Sequence, residues 1–406
     1  MVSSTTEHVA LRPIPSAPAS RGVVLLRLLQ FIFLVYLFLV AINMFGDSTK
    51  MLTQEYESVW SSLVAGLNNP FVGLCLGIFA TALMQSSSAT TSLAVAMVAS
   101  ETITLQSAVT IVMGANIGSS LTCMLVSLGH MGRHKTFSRA FSAALIQDNF
   151  NLLTVMFCFT LEMATHFLSR TATWVSSFFF RGVSVSVDGS VGGWFVNPIP
   201  IVVSFPVEGV ETFLVRVCGV SIVPSAILMC VMGLGLLFFS LIYMTRSMKS
   251  LMADRIEEWM NRVLSKNGYL GMAIGCVVTM VIQSSGITTS LMVPLMAAGV
   301  LSLRLIYPIV LGANIGTTIT AILAAMAYTG TPSGQTGMSL ALVHLLFNLT
   351  GVMLFYPIPW MRWPIFMTEF LCPILTRRKR NVIGWILLIF FLIPGVGLWL
   401  FYTPST

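Results

Sequence analysis

The sequence predicts an all-α polytopic membrane protein with an inverted-topology repeat, about seven spans and two re-entrant helical hairpins, and three observations predict it. Of 406 residues, 56% are hydrophobic and only 9% charged, with a mean hydropathy of +0.89; soluble domains carry roughly 25% charged residues. A polar run between apolar arms, Gln85-Ser86-Ser87-Ser88-Ala89-Thr90-Thr91-Ser92, recurs as Gln283-Ser284-Ser285-Gly286-Ile287-Thr288-Thr289-Ser290. Gly114-Ala115-Asn116-Ile117-Gly118 and Gly312-Ala313-Asn314-Ile315-Gly316 follow at the same distance, so residues 71–122 align on 269–320 without a gap, 21 of 52 positions being identical. Self-similarity of that length marks a duplicated structural unit. The net charge of +7 sits in short loops, an orientation and lipid-contact signal rather than a nucleic-acid footprint. The seven cysteines show no metal or redox spacing.

Residues 1–21 form a polar tail with Arg12 and Arg21, and basic residues before the first transmembrane helix (22–45) place the N-terminus in the cytoplasm. The next loop, with Asp47, Lys50, Glu55 and Glu57, is net negative and outward. Repeat 1 covers 71–162. Its apolar arm Phe71–Met84 is too short to cross a core of about 30 Å, so 71–99 is expected to dip in and return as a hairpin with Gln85 to Thr91 at the tip. That choice puts the basic loop of Arg133, Lys135 and Arg139 inside. Spans follow from about Ser107 to Leu128 and from Ala140 to Glu162, then an extracytoplasmic loop over 163–215 rich in Ser, Val and Gly. A connecting span and a cytoplasmic loop occupy 216–268. Repeat 2 covers 269–358 with its hairpin at 269–299; three spans separate the hairpins, and an odd number inverts the second. The remainder, 359–406, is expected as a cytoplasmic loop with Arg377, Arg378, Lys379 and Arg380 and a last span, leaving the C-terminus outside.

Irregular backbone inside a bilayer is tolerated only where it lines a cavity or is buried in protein. A hairpin tip supplies such backbone, and helix N-termini there favour an anion. Ser and Thr hydroxyls donate to anion oxygens and also coordinate a hard cation, so one tip can serve an oxyanion and a sodium ion together. An isolated Ser-Ser would be read as close helix packing; two eight-residue runs at matching places favour a site. Gly73 with Gly77 and Gly271 with Gly275 keep the packing reading. The Gly-Ala-Asn-Ile-Gly motifs are expected to break their helices at mid-membrane, with Asn116 and Asn314 holding either backbone or a cation. Asp148, the carboxylate clearly inside a span, is a cation-site or charge-coupling candidate, with Arg139 as an alternative partner. His344 is read as a satisfied interior histidine rather than a proton relay. The repeat continues loosely from Gln147-Asp148-Asn149-Phe150-Asn151 to His344-Leu345-Leu346-Phe347-Asn348.

With these motifs, and with Tyr356-Pro357-Ile358-Pro359 and Leu392-Ile393-Pro394, the chain resembles the type II sodium–phosphate cotransporter family from about Phe71 to Tyr402. The resemblance implies a cell-membrane symporter importing inorganic phosphate with sodium as co-substrate and no cofactor. Gln85, Ser86, Ser87, Gln283, Ser284 and Ser285 would bind phosphate. Candidate sodium ligands are Ser88, Thr90, Thr91, Asn116, Asp148, Asn151, Thr288, Thr289, Asn314 and Asn348, with Asp148 matching the aspartate of electrogenic members. The chain departs from the family with Gly286 for a third Ser, with Gln147 to Asn151 for His-Asp-Phe-Phe-Asn, and with His130-Met131-Gly132-Arg133 for Gln-x-Gly-Asp.

Competing readings are a sodium- or proton-coupled transporter of another oxyanion such as sulfate, a channel, and a purely structural membrane protein. An intramembrane serine hydrolase would need a base beside its nucleophile, for which His344 is the one histidine well inside a span.

Overall fold

In lipid a helix satisfies every backbone amide within its own segment, so long apolar runs fold as spanning helices. The computed structural model describes residues 21–180, 184–185, 191–192, 198–263, 267–329, 331 and 333–402. Among them seven helices are long and apolar enough to cross a membrane: Gly22–Glu55, Leu105–Leu128, His134–Thr165, Ile222–Met248, Leu303–Met326, Gly334–Phe355 and Lys379–Phe401. They fall where the seven spans were predicted. Leu26, Ile32, Val231, Met353 and Trp399 stand exposed on their outer faces, as hydrocarbon surroundings permit. The chain is a multi-pass, helical membrane protein. The predicted tail, residues 1–20, lies outside the described residues.

The first span, α1 (Arg21–Glu55), runs on through the loop predicted at Asp47 and Lys50. Ser48 and Thr49 hydroxyls donate to the Phe45 and Gly46 carbonyls at 2.8 Å each, so the helix itself satisfies them. The chain turns through 95° between α2 (Glu57–Leu67) and α3 (Pro70–Met84). Asn69 caps α3 by accepting from the Phe71 N–H at 3.0 Å, and Pro70 opens the helix. After Gln85 comes α4 (Ser87–Ala99). At 15 and 13 residues, α3 and α4 are about 22 and 20 Å long, each short of a hydrocarbon core of about 30 Å.

Helices α5 (Leu105–Gly118) and α6 (Ser120–Leu128) make the next span, and α7 (His134–Thr165) the third. Two helices then occupy the stretch predicted as an outer loop: α8 (Phe167–Phe180) and α9 (Pro198–Thr212). Between them a short strand pair, β1 (Ser184–Val185) and β2 (Val191–Gly192), lies antiparallel. The serines that suggested a loop bond to their own helix, Ser169, Ser176 and Ser177 donating to the His166, Thr173 and Trp174 carbonyls. Leu168, Ser169, Ala172 and Ser176 form one buried face at helical spacing, and Ser176 meets Ser339 at 2.8 Å.

The long α10 (Ile222–Val263) leads into the second unit: α11 (Gly268–Ile282), α12 (Ser285–Ser290), α13 (Met292–Ala298), α14 (Leu303–Met326) and α15 (Gly334–Phe355). Within the region predicted as a cytoplasmic loop and last span, a further helix forms, α16 (Trp363–Thr376). It packs on α7, with Asn149 donating to Thr368 at 2.8 Å and Cys372 to the Ser138 carbonyl at 3.2 Å. The last span is α17 (Lys379–Leu387) and α18 (Ile393–Phe401), joined by a π-turn at Leu388–Leu392.

The two Gly-Ala-Asn-Ile-Gly motifs do not break their helices, contrary to expectation. The first lies within α5 and the second within α14; the one interruption is Ser119, whose backbone remains right-handed helical. These glycines permit close approach instead. A Cβ on Gly114 would strike the Leu74 carbonyl and one on Gly312 the Met272 carbonyl; Gly77 and Gly275 meet the Ile111 and Ile309 carbonyls. Every residue of the second set aligns on its counterpart in the first, so α3 against α5 and α11 against α14 are one packing arrangement made twice. The packing reading of Gly77 and Gly275 is the observed one.

Candidate functional site

Both helix breaks are left-handed residues, Gln85 at φ 51° and Gln283 at φ 61°, a conformation that costs an L-residue roughly 1–2 kcal/mol. Ser86 and Ser284 then start the returning helices as N-caps, accepting from the Ala89 and Ile287 N–H groups at 3.2 and 3.4 Å. The two arms are held together by threonines. Thr81 donates to Thr90 at 2.8 Å in the first unit, and Thr279 to Thr288 at 2.9 Å in the second. Thr90, Thr91, Thr288 and Thr289 each donate to a backbone carbonyl one turn back.

The two breaks meet at one small polar cavity of about 20 Å³. Gln85, Ser86, Ser87, Ser88, Ser284 and Ser285 line it, so the structure brings together five of the six residues named for an anion, together with Ser88. A water needs about 10–15 Å³, so this space holds occupants of water scale, and a larger anion requires the tips to part. The sixth residue, Gln283, points away: its amide donates to the Met280 carbonyl at 2.5 Å and its oxygen accepts from Thr320 at 2.7 Å. Ser119 and Thr122 also line the cavity. Sequence reasoning missed both; the signal was the polar stretch Ser119-Ser120-Leu121-Thr122 directly after the first glycine motif.

A second cluster joins the two units. Asn314 donates to Asn151 at 3.0 Å and accepts from Gln147 at 3.4 Å. Asn348 donates to Asn116 at 3.4 Å, with His344 at 3.4 Å from the same oxygen. Each motif asparagine is thus held by the opposite unit, at aligned positions. Asn151 also donates to the Asn116 carbonyl at 2.6 Å. Thr90, Thr91, Thr288 and Thr289, and the asparagines Asn116, Asn151, Asn314 and Asn348, lie outside the cavity lining.

Several acceptor oxygens in and beside this cluster are buried without a hydrogen-bond donor: Gln147 Oε1, Asp148 Oδ1, Asn149 Oδ1 and Asn348 Oδ1. Buried oxygens normally find donors, and oxygen sets of this kind suit a hard cation. Gln147 and Asn149 belong to the motif around Asp148 but not to the ligands expected from the sequence. Asp148 is 1% exposed. Its Oδ2 accepts from Trp385 Nε1 at 3.3 Å, and it has no ion pair among the described residues. Arg139, the alternative partner, lies instead against Gly299. His344 has no serine of either polar run among its hydrogen-bond partners, so the nucleophile–base pair of a serine hydrolase is not formed.

Two broken helices closing on a polar cavity inside a bundle of spanning helices are an arrangement that membrane transporters use to hold their cargo. The family model of Na+/Pi-cotransporters matches residues 37–181 and 236–363, and the chain belongs to that family. It is 30% identical to the sheep sodium-dependent phosphate transport protein 2A, over 92% of this chain and 68% of that protein. The human sodium-dependent phosphate transport protein 2B is 29% identical over 91% of this chain and 64% of its own length. The rat 2A protein is 31% identical over 93% and 68%. The chain therefore spans about two thirds of the length of these relatives. No solved structure matches.

Proposed function

We propose that the protein is a secondary active symporter that imports inorganic phosphate on a sodium gradient, by alternating exposure of a site between its two Gln-Ser-Ser breaks. The observation that carries this is the meeting of Gln85, Ser86, Ser87 and Ser88 with Ser284 and Ser285 around one cavity. Serine hydroxyls and the N-terminal N–H groups of α4 and α12 are oxyanion donors. The relatives are sodium-dependent phosphate transport proteins, which suggests the substrate and the coupling ion.

Each broken pair is proposed as a re-entrant hairpin, and the two units as inverted repeats. The short α3 and α4 and the 95° turn before α3 support the first. Three candidate spans between the units, and the reciprocal pairing of Asn314 with Asn151 and Asn348 with Asn116, support the second, since mutual contacts between aligned positions are the mark of a two-fold relation. The basic residues Arg12, Arg21 and Arg27, ahead of and at the start of the first span, favour a cytoplasmic N-terminus in the cell membrane, with the C-terminus outside.

Sodium is proposed to enter as co-substrate beside this cavity, drawn to the donorless oxygens of Asp148 and Asn348 with Gln147 and Asn149, and to Ser88 at the tip. Asn116, Asn151 and Asn314 complete that environment, and Thr90, Thr91, Thr288 and Thr289 hold the arms that frame it. A cation there neutralises Asp148, which lets the anion enter an interior with no Arg or Lys lining its cavity. The same absence of a committed cation leaves sulfate as the competing substrate.

The test is uptake of labelled phosphate into proteoliposomes under imposed sodium, potassium or proton gradients, with sulfate and arsenate as competitors. Saturable uptake driven by sodium alone is the expected result. Uptake of sulfate in preference to phosphate, or driven by protons without sodium, would overturn the assignment.

A further inference from the structure

The two breaks agree in their threonine bridges, their N-caps and their left-handed glutamines, and differ, besides Gly286 in place of Ser88 and the division of the second returning helix into α12 and α13, in how the glutamine is held. In the second unit Gln283 is buried, accepts from Thr320 Oγ1 at 2.7 Å, and closes its backbone N–H onto the Thr279 carbonyl at 2.7 Å. In the first unit Gln85 and Thr122 occupy the aligned positions, and nothing joins them. Gln85 is exposed, Thr122 is half-buried, both line the cavity, and neither side chain has a hydrogen-bond partner among the described residues. Gln283 and Thr320 are absent from that lining. The cavity therefore opens beside the unlatched glutamine and is closed to the latched one.

Two units with the same residues at the same spacing have the same pair of arrangements available, latched and unlatched, and here each unit shows one of them. We infer that Thr320 and Thr122 are paired positioning residues of an alternating latch. Thr320 holds Gln283 in the state described here; Thr122 takes Gln85 in the oppositely facing state, as Gln283 is released. This rests on the alternating-access reading above. Inverted repeats exchange their conformations when access reverses, and a bond made in one state only biases the equilibrium toward that state. The two hydroxyls therefore pull the equilibrium in opposite directions.

The experiment uses Thr122→Val and Thr320→Val, which keep side-chain shape and remove the hydroxyl, with Thr122→Ser and Thr320→Ser to restore it. In full-length protein in oriented vesicles, a thiol introduced into the cavity lining by Ser88→Cys is alkylated by a membrane-impermeant maleimide from one side, and peptide mapping separates it from the native cysteines. The two valine variants should change the labelling rate by roughly threefold to tenfold in opposite directions, and the serine variants should return it to the parental value. Gln85→Leu should reproduce Thr122→Val, and Gln283→Leu should reproduce Thr320→Val, which covers a variant that fails to fold. Shifts in the same direction, or no shift, would overturn the latch. Labelling needs no transport, so a protein that carried no phosphate would defeat the proposed substrate while the latch was still decided.

Discussion

Asn314 donates its side-chain amide to Asn151 across 3.0 Å, tying the glycine motif of the second unit to α7 of the first. Both residues are buried, so removing either leaves one polar atom of the other without this partner. Asn314→Ala and Asn151→Ala should each lower stability by about 1–3 kcal/mol. The double variant should lose clearly less than the sum, because both changes delete one bond. Thermal unfolding in detergent checks this; strict additivity would show that the contact contributes nothing.

The glycines of the two units separate by what surrounds them. Gly114 and Gly312 abut the Leu74 and Met272 carbonyls, backbone atoms that cannot turn aside, whereas nothing lies within 4 Å of a Cβ on Gly395. Gly114→Ala and Gly312→Ala should each cost about 1–3 kcal/mol through overpacking. Gly395→Ala, in α18, should be neutral or stabilising by up to about 1 kcal/mol. Melting temperatures of the three variants decide; equal behaviour would contradict the packing role.

Asp148 has one donor, the Trp385 indole, and a second oxygen with none. A sodium ion next to this carboxylate would supply the missing charge partner, and Asn preserves the side chain's shape without the charge. Asp148→Asn should remain folded, require at least about tenfold more sodium for half-maximal uptake, near 1.4 kcal/mol, and move less charge per cycle. Sodium titrations of uptake and of transport current measure both. Unchanged values would remove Asp148 from the coupling path.

The parts of this protein legible in the sequence are those written in hydropathy and in repetition. Seven spans and two breaks follow from apolar runs and from Gln85 and Gln283 standing at aligned positions. Helices α8 and α16 were not legible, because Ser169, Ser176 and Thr368 look like loop residues until each is seen bonding to its own helix or a neighbouring one. The glycine motif misled for a related reason: glycine marks a break and a close approach alike, and only the facing Leu74 and Met272 carbonyls distinguish them. Spacing along α7 gave Asp148 but not its surroundings, since Trp385 lies more than two hundred residues away. Nor do aligned glutamines in a sequence tell that one is latched and the other free.

The most direct measurement is initial-rate phosphate uptake under an inward sodium gradient by wild type, Ser87→Ala and Ser285→Ala, one serine from each unit on the shared cavity. If the substrate sits between the two breaks, wild type transports and both variants lose apparent phosphate affinity by about tenfold or more, the worth of one hydrogen bond of about 1.5 kcal/mol to an anion, while remaining folded. Wild-type affinity in both variants would contradict the shared site, whatever drives the transport.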